Sequence, residues 1–121
     1  MAMPLSILIV EDNADARATL ELILEMEGHR VTGVETGGEA VRRADAPLDV
    51  ALVDLGLPDV DGYEVARRLR TTVHGRAAFL VALTGYGEPE HRQRTKEAGF
   101  DAHLVKPIDP DDLVKLLAER G

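Results

Sequence analysis

Five short aliphatic runs, separated by polar segments of helix length, constrain what this chain can become: LSILIV (5–10), RVTGV (30–34), DVALV (49–53), AFLVALT (78–84) and AHLV (102–105). Most are too continuously apolar to leave one side wet, the pattern of strands in a parallel sheet covered on both faces. The segments between them carry helix signals. Residues 14–27 follow Asn13, a good N-cap, and stop at Gly28; residues 37–45 follow Thr36; residues 62–70 carry Tyr63, Val65, Ala66 and Leu69. The last helix opens with DPDDL, where Asp109 caps, Pro110 takes the first turn and two further acids suit the helix dipole. Residues 89–98 offer few apolar side chains and make the weakest helix. Five strands alternating with five helices predict an α/β, doubly wound parallel sheet, its right-handed crossovers placing helices on both faces.

The 121 residues suit a single domain over 1–121. With 45% hydrophobic but only 3% aromatic residues, its core must be aliphatic. Fourteen basic against 22 acidic residues give a formal charge of −8, which argues against direct binding of nucleic acid or anionic lipid. The absence of cysteine excludes disulfides and thiolate metal sites. No signal peptide opens the chain and no apolar run is long enough for membrane insertion, so a cytoplasmic protein is expected.

Chemistry collects where the strands end. The first run is followed by Glu11 and Asp12, the third by Asp54, the fourth ends on Thr84, and the fifth precedes Lys106. In an open parallel sheet these carboxyl ends share one edge, where such folds bind ligands. Clustered carboxylates raise one another's pKa unless a cation intervenes, and an all-oxygen site suits Mg2+ rather than zinc. An ionised Asp54 beside a metal, an amine and a hydroxyl fits phosphoryl transfer onto the carboxylate. The turn LGLP would bring backbone carbonyls toward the metal, and Gly56 would leave the space above Asp54 open.

The acidic pair, VDLGLPDVDG (53–62), the LT at 83–84 and the KP at 106–107 together resemble the receiver domain of two-component response regulators. EAGFDAHLVKPID (97–109) is similar to receivers fused to hybrid sensor histidine kinases. The resemblance covers essentially the whole chain and implies a flavodoxin-like (βα)5 sheet of strand order 2-1-3-4-5. It implies that Asp54 accepts a phosphoryl group from a histidine on a kinase or phosphotransfer protein. Asp12, Asp54 and the Gly56 carbonyl would hold Mg2+, with Glu11 acting mainly through water. Thr84 matches the switch hydroxyl, Lys106 the phosphate partner, and the Lys106–Pro107 bond is expected to be cis. The output would be a contact with another protein, whether this is a stand-alone receiver or a piece of a larger chain.

Other residues carry plainer expectations. His103 stands where many receivers carry a rotating Tyr or Phe; it is a candidate switch residue, but half-buried packing is the favoured reading. Tyr86 is expected to shield the phosphorylated site. Asp59 and Asp61 should shape the turn and cap the following helix; His29, His74 and His91 should lie on the surface, and Arg67, Arg68 and Arg70 on a solvated helix face. The enzyme rival, a phosphatase of the haloacid-dehalogenase-like class, wants an acid two residues after the nucleophile, where this chain has Gly56. A non-phosphorylated binding module would have lost an acid, the threonine or the lysine, and none is lost.

Overall fold

Side-chain alternation within the aliphatic runs decides how the layers assemble. The computed structural model describes residues 4–85 and 92–120. Its elements are β1 (Ser6–Val10), α1 (Ala14–Met26), β2 (Arg30–Val34), α2 (Gly37–Arg43), β3 (Val50–Asp54), α3 (Gly62–Arg70), β4 (Phe79–Thr84), α4 (Arg92–Ala98), β5 (Ala102–Val105) and α5 (Pro110–Glu119). The strands form one parallel sheet in the order β2-β1-β3-β4-β5. Successive residues of a strand face opposite ways, so each central strand feeds two cores. Ile7 and Ile9, Val50 and Leu52, and Val81 and Leu83 pack with Leu20 and Leu24 of α1 and Leu113 and Leu117 of α5. Leu8 and Val10, Ala51 and Val53, and Leu80 and Ala82 pack with Ala40 of α2, Val65 and Leu69 of α3 and Ala98 of α4. Each fully buried leucine, such as Leu52 or Leu69, contributes about 1.5–3 kcal/mol of transfer free energy. Among the described residues no helix is long and apolar enough to cross a membrane.

The caps hold largely as read. Asn13 Oδ1 accepts from Ala16 N at 2.9 Å, Thr36 Oγ1 from Glu39 N at 3.2 Å, Asp61 Oδ1 from Glu64 N at 2.9 Å and Asp109 Oδ1 from Asp111 N at 2.8 Å. Asp59 corrects the expectation. Its carboxylate reaches across to α2, accepting from Gly37 N at 3.0 Å and Gly38 N at 3.1 Å, two of the amides a helix start leaves unpaired. These bonds outweigh its slight desolvation and hold its carboxyl below the usual aspartate range. Gly62 has a packing reason of its own. A Cβ there would stand 2.5 Å from the Asp54 carbonyl oxygen and 2.7 Å from Leu55 Cα, so α3 starts hard against the end of β3.

Two further expectations change. Arg67 and Arg68 do lie on a wet face, paired with Glu64, but Arg70 turns inward. Its guanidinium donates to the carbonyls of Gly75, Arg76, Ala78 and Gly99 and to Asp101 Oδ2, bonds of 2.6–3.1 Å that tie the end of α3 to the starts of β4 and β5. His29 is half-buried, its Nδ1 accepting from Leu5 N at 3.0 Å, and His74 is also half-buried. His91 and residues 89–91 of the expected fourth helix lie outside the described residues.

Candidate functional site

The register carries the strand ends to one edge: Val10 stands beside Val53, Asp54 beside Leu83 and Thr84 beside Val105. Glu11 N continues the β1 ladder onto Val34 O at 3.0 Å, and Lys106 N donates to Thr84 O at 2.7 Å. One carboxylate oxygen from each of Glu11, Asp12 and Asp54 lies within 4.8 Å of the others. Glu11 is fully buried, Asp54 is 9% exposed and Asp12 faces solvent. Buried carboxylates need compensation. Lys106 supplies it, its Nζ donating to Glu11 Oε1 at 2.5 Å and to Asp54 Oδ2 at 2.9 Å. Backbone amides hold the remaining oxygens: Asn13 N donates to Glu11 Oε2 at 3.2 Å and Gly56 N to Asp54 Oδ1 at 2.9 Å.

The two buried acids titrate in opposite directions. Burial pushes the Glu11 carboxyl above the usual glutamate range; the Lys106 ammonium opposes this and neighbouring Asp54 reinforces it. Burial also raises Asp54, but its contacts with the Glu11 carboxyl, the Gly56 amide and Lys106 outweigh that and hold it below the usual range. Lys106, which burial alone would lower, is raised by Glu11 and Asp54. Of the two, Glu11 is the acid pushed toward its protonated form and Asp54 the one held toward its ionised form.

This donor set fits a hard divalent cation. All three side chains offer oxygen, the exposed Asp12 opens the cluster to solvent, and no sulfur or imidazole is among them. Gly56 is exposed, and a Cβ built on it would make only an ordinary 3.7 Å contact with Asp54 Oδ1, so the approach to Asp54 is open there.

Thr84 reaches the same edge but is otherwise engaged, its hydroxyl donating to Leu104 O at 3.4 Å. His103 does not join the cluster. It is exposed on the edge strand β5, so packing against the core, the favoured reading, is corrected: an edge strand this short keeps one face wet. Tyr86 lies outside the described residues. The Lys106–Pro107 peptide is cis. The Gly56 amide was missed from sequence, although an aspartate two residues before a glycine is a recognisable Asx-turn signal.

The response regulator receiver domain family matches residues 7–118. The chain belongs to that family. A receiver from a sensor histidine kinase of Pseudomonas aeruginosa, solved with a magnesium ion coordinated in its active site cleft, is 35% identical over 95% of both chains, with a TM-score of 0.85. An uncharacterized 14.6 kDa protein of Leptolyngbya boryana is 36% identical over 95% of this receiver and 88% of its own length. The transcriptional regulatory protein ResD of Bacillus subtilis is 38% identical over 89% of this receiver, which spans 44% of ResD. This receiver is thus a domain of two-component signal transduction.

Proposed function

We propose that this receiver takes a phosphoryl group onto Asp54 from a phosphohistidine of a kinase or phosphotransfer protein. The observation that carries the reading is the ionised Asp54 carboxylate, held between Lys106 and Gly56 N, with the Glu11 and Asp12 oxygens beside it. In the reaction an Asp54 oxygen forms the new O–P bond as the N–P bond of the donor breaks, and the electron pair returns to the donor imidazole. Lys106 is close enough to Asp54 to meet a phosphoryl oxygen, where its charge offsets what develops. Asp12, Asp54 and the Gly56 carbonyl would hold Mg2+, with Glu11 behind them; the bound ion would neutralise the crowded carboxylates and the phosphoryl oxygens.

The same reading makes Thr84 the switch. Its long hydrogen bond to Leu104 O is the weaker of two options once phosphoryl oxygens stand on Asp54, and exchanging partners would release β5 at Leu104. A protein recognising the changed β5 side would receive the output, and the resemblance of 97–109 to hybrid-kinase receivers favours a phosphorelay. The test is intact mass after exposure to a small acyl-phosphate donor, with and without Mg2+. One added phosphoryl group is expected on the native chain with Mg2+, and none on Asp54→Asn. Equal labelling of that variant sinks the assignment.

A further inference from the structure

Four residues outside the acidic cluster, Arg17, Glu21, Gly33 and Glu35, converge behind it. Arg17 lies one turn into α1, and helix side chains lean toward their own N-terminus. Its guanidinium accordingly reaches back over the β1–α1 turn, and Nη1 donates to the backbone carbonyl of Glu11 at 2.8 Å. Two acids steady it from the far side, Glu21 at 3.8 Å and Glu35 at 3.7 Å. Gly33 of β2 leaves the room: a Cβ there would stand 2.1 Å from Glu21 Oε1 and 3.0 Å from Arg17 Cδ. A glycine inside a strand is a cost in propensity, and close approach of another group is one of its standard reasons. The Arg17 side chain is only 17% exposed.

The Glu11 carbonyl belongs to the same rigid peptide plane as the Asp12 amide. Fixing that oxygen sets the plane from which the Asp12 side chain departs. Glu11 is also held through its amide and its carboxylate, by Val34 O, Asn13 N and Lys106. Asp12 is exposed, and among the described residues its carboxylate has no hydrogen-bond partner in the fold. The backbone on its two sides, held at the Glu11 carbonyl and at the Asn13 amide, therefore sets where its side chain departs toward the cluster.

We infer that Arg17 is a positioning residue for the cation site, orienting Asp12 by holding the Glu11–Asp12 peptide through its bond to the Glu11 carbonyl, with Gly33 making room for it. The inference rests on the reading of Glu11, Asp12 and Asp54 as a Mg2+ site.

Charge and positioning predict opposite signs, which makes the inference testable. Were Arg17 merely a cation near three carboxylates, Arg17→Ala would tighten Mg2+ binding. Positioning predicts that Arg17→Ala weakens it by about tenfold, the lower end of what outer-shell partners contribute to metal affinity. Arg17→Lys keeps the charge but not the planar fork and should fall between the two. Calorimetric Mg2+ titrations of the three proteins, each at a temperature where denaturant melts show it fully folded, measure this. Amide spectra of the metal-free proteins supply a second readout, with the shift for Arg17→Ala expected at Asp12 and Asn13. Unchanged or tighter binding in Arg17→Ala overturns the role of Arg17 alone. Failure of the native chain to bind Mg2+ at all overturns the site reading instead.

Discussion

The Nζ of Lys106 stands 2.9 Å from Oδ2 of Asp54, joining the residue after β5 to the buried end of β3 across 52 positions of sequence. Because the same ammonium also meets Glu11, one cation serves two buried acids, and the balance among the three is the most informative feature to perturb.

Glu11 should work against the stability of the metal-free protein. Its folded pKa lies above 4.5, chiefly through burial, so between the two values the folded state binds more protons than the unfolded state and stability falls as pH rises. Asp54, with its folded pKa below 3.8, has the opposite sign: its contribution is present above that value and lost as pH falls through the folded pKa. Glu11→Gln in chelator-treated protein should therefore be more stable than the native chain at pH 7.5, with the advantage shrinking toward pH 4.5. Urea melts at several pH values measure the difference; a constant or negative one contradicts the assignment.

Asp12→Asn should separate metal binding from folding. Because Asp12 is exposed, the substitution should change metal-free stability by no more than about 0.5 kcal/mol. The native chain should gain about 2.7 kcal/mol at a Mg2+ concentration one hundred times its dissociation constant. Most of that gain should vanish in Asp12→Asn, which thermal melts with and without Mg2+ would reveal.

Thr84→Ala should leave phosphorylation possible and remove its consequence. The lost bond to Leu104 O is long at 3.4 Å, so the unphosphorylated fold should lose less than about 1 kcal/mol. Amide spectra of the variant with and without the phosphoryl group should then coincide around Leu104. If the phosphorylated variant instead reproduces the phosphorylated native spectrum, the switch lies elsewhere.

Arg70→Lys should behave as a drastic change rather than a conservative one. A lysine cannot serve the carbonyls of Gly75, Arg76, Ala78 and Gly99 and the Asp101 carboxylate together. Leaving several of these groups unsatisfied should cost about 3 kcal/mol, seen as a lower denaturation midpoint. At a temperature where it remains folded, labelling of Asp54 by the small donor should proceed normally, since Arg70 joins the opposite edge of the sheet.

What could be read from sequence follows from range. The strands were legible because Ile7 to Val10 and Val50 to Val53 are apolar on both faces, and the acids because a strand boundary announces which edge they occupy. Asp59 was not, since its partner Gly37 lies 22 residues away and turn residues look alike whichever helix they cap, nor was Arg70, whose inward turn also depends on the Gly99 carbonyl 29 residues away. His103 illustrates a third limit. AHLV reads as a strand, yet whether its residues face water depends on β5 being outermost, a property of sheet order and not of those four residues.

The segment Leu55–Asp61 behaves as a braced hoop. Gly62 N closes it on Leu55 O, Asp59 pins its middle to α2, and the backbone crowding at Gly62 leaves no slack at its end. Compliance around Asp54 is consequently lopsided: the bracing lies toward α2 and α3, and the opposite flank has one stretched hydroxyl contact, so a bulkier, more highly charged aspartate, if the proposed phosphorylation occurs, is expected to shift that flank first.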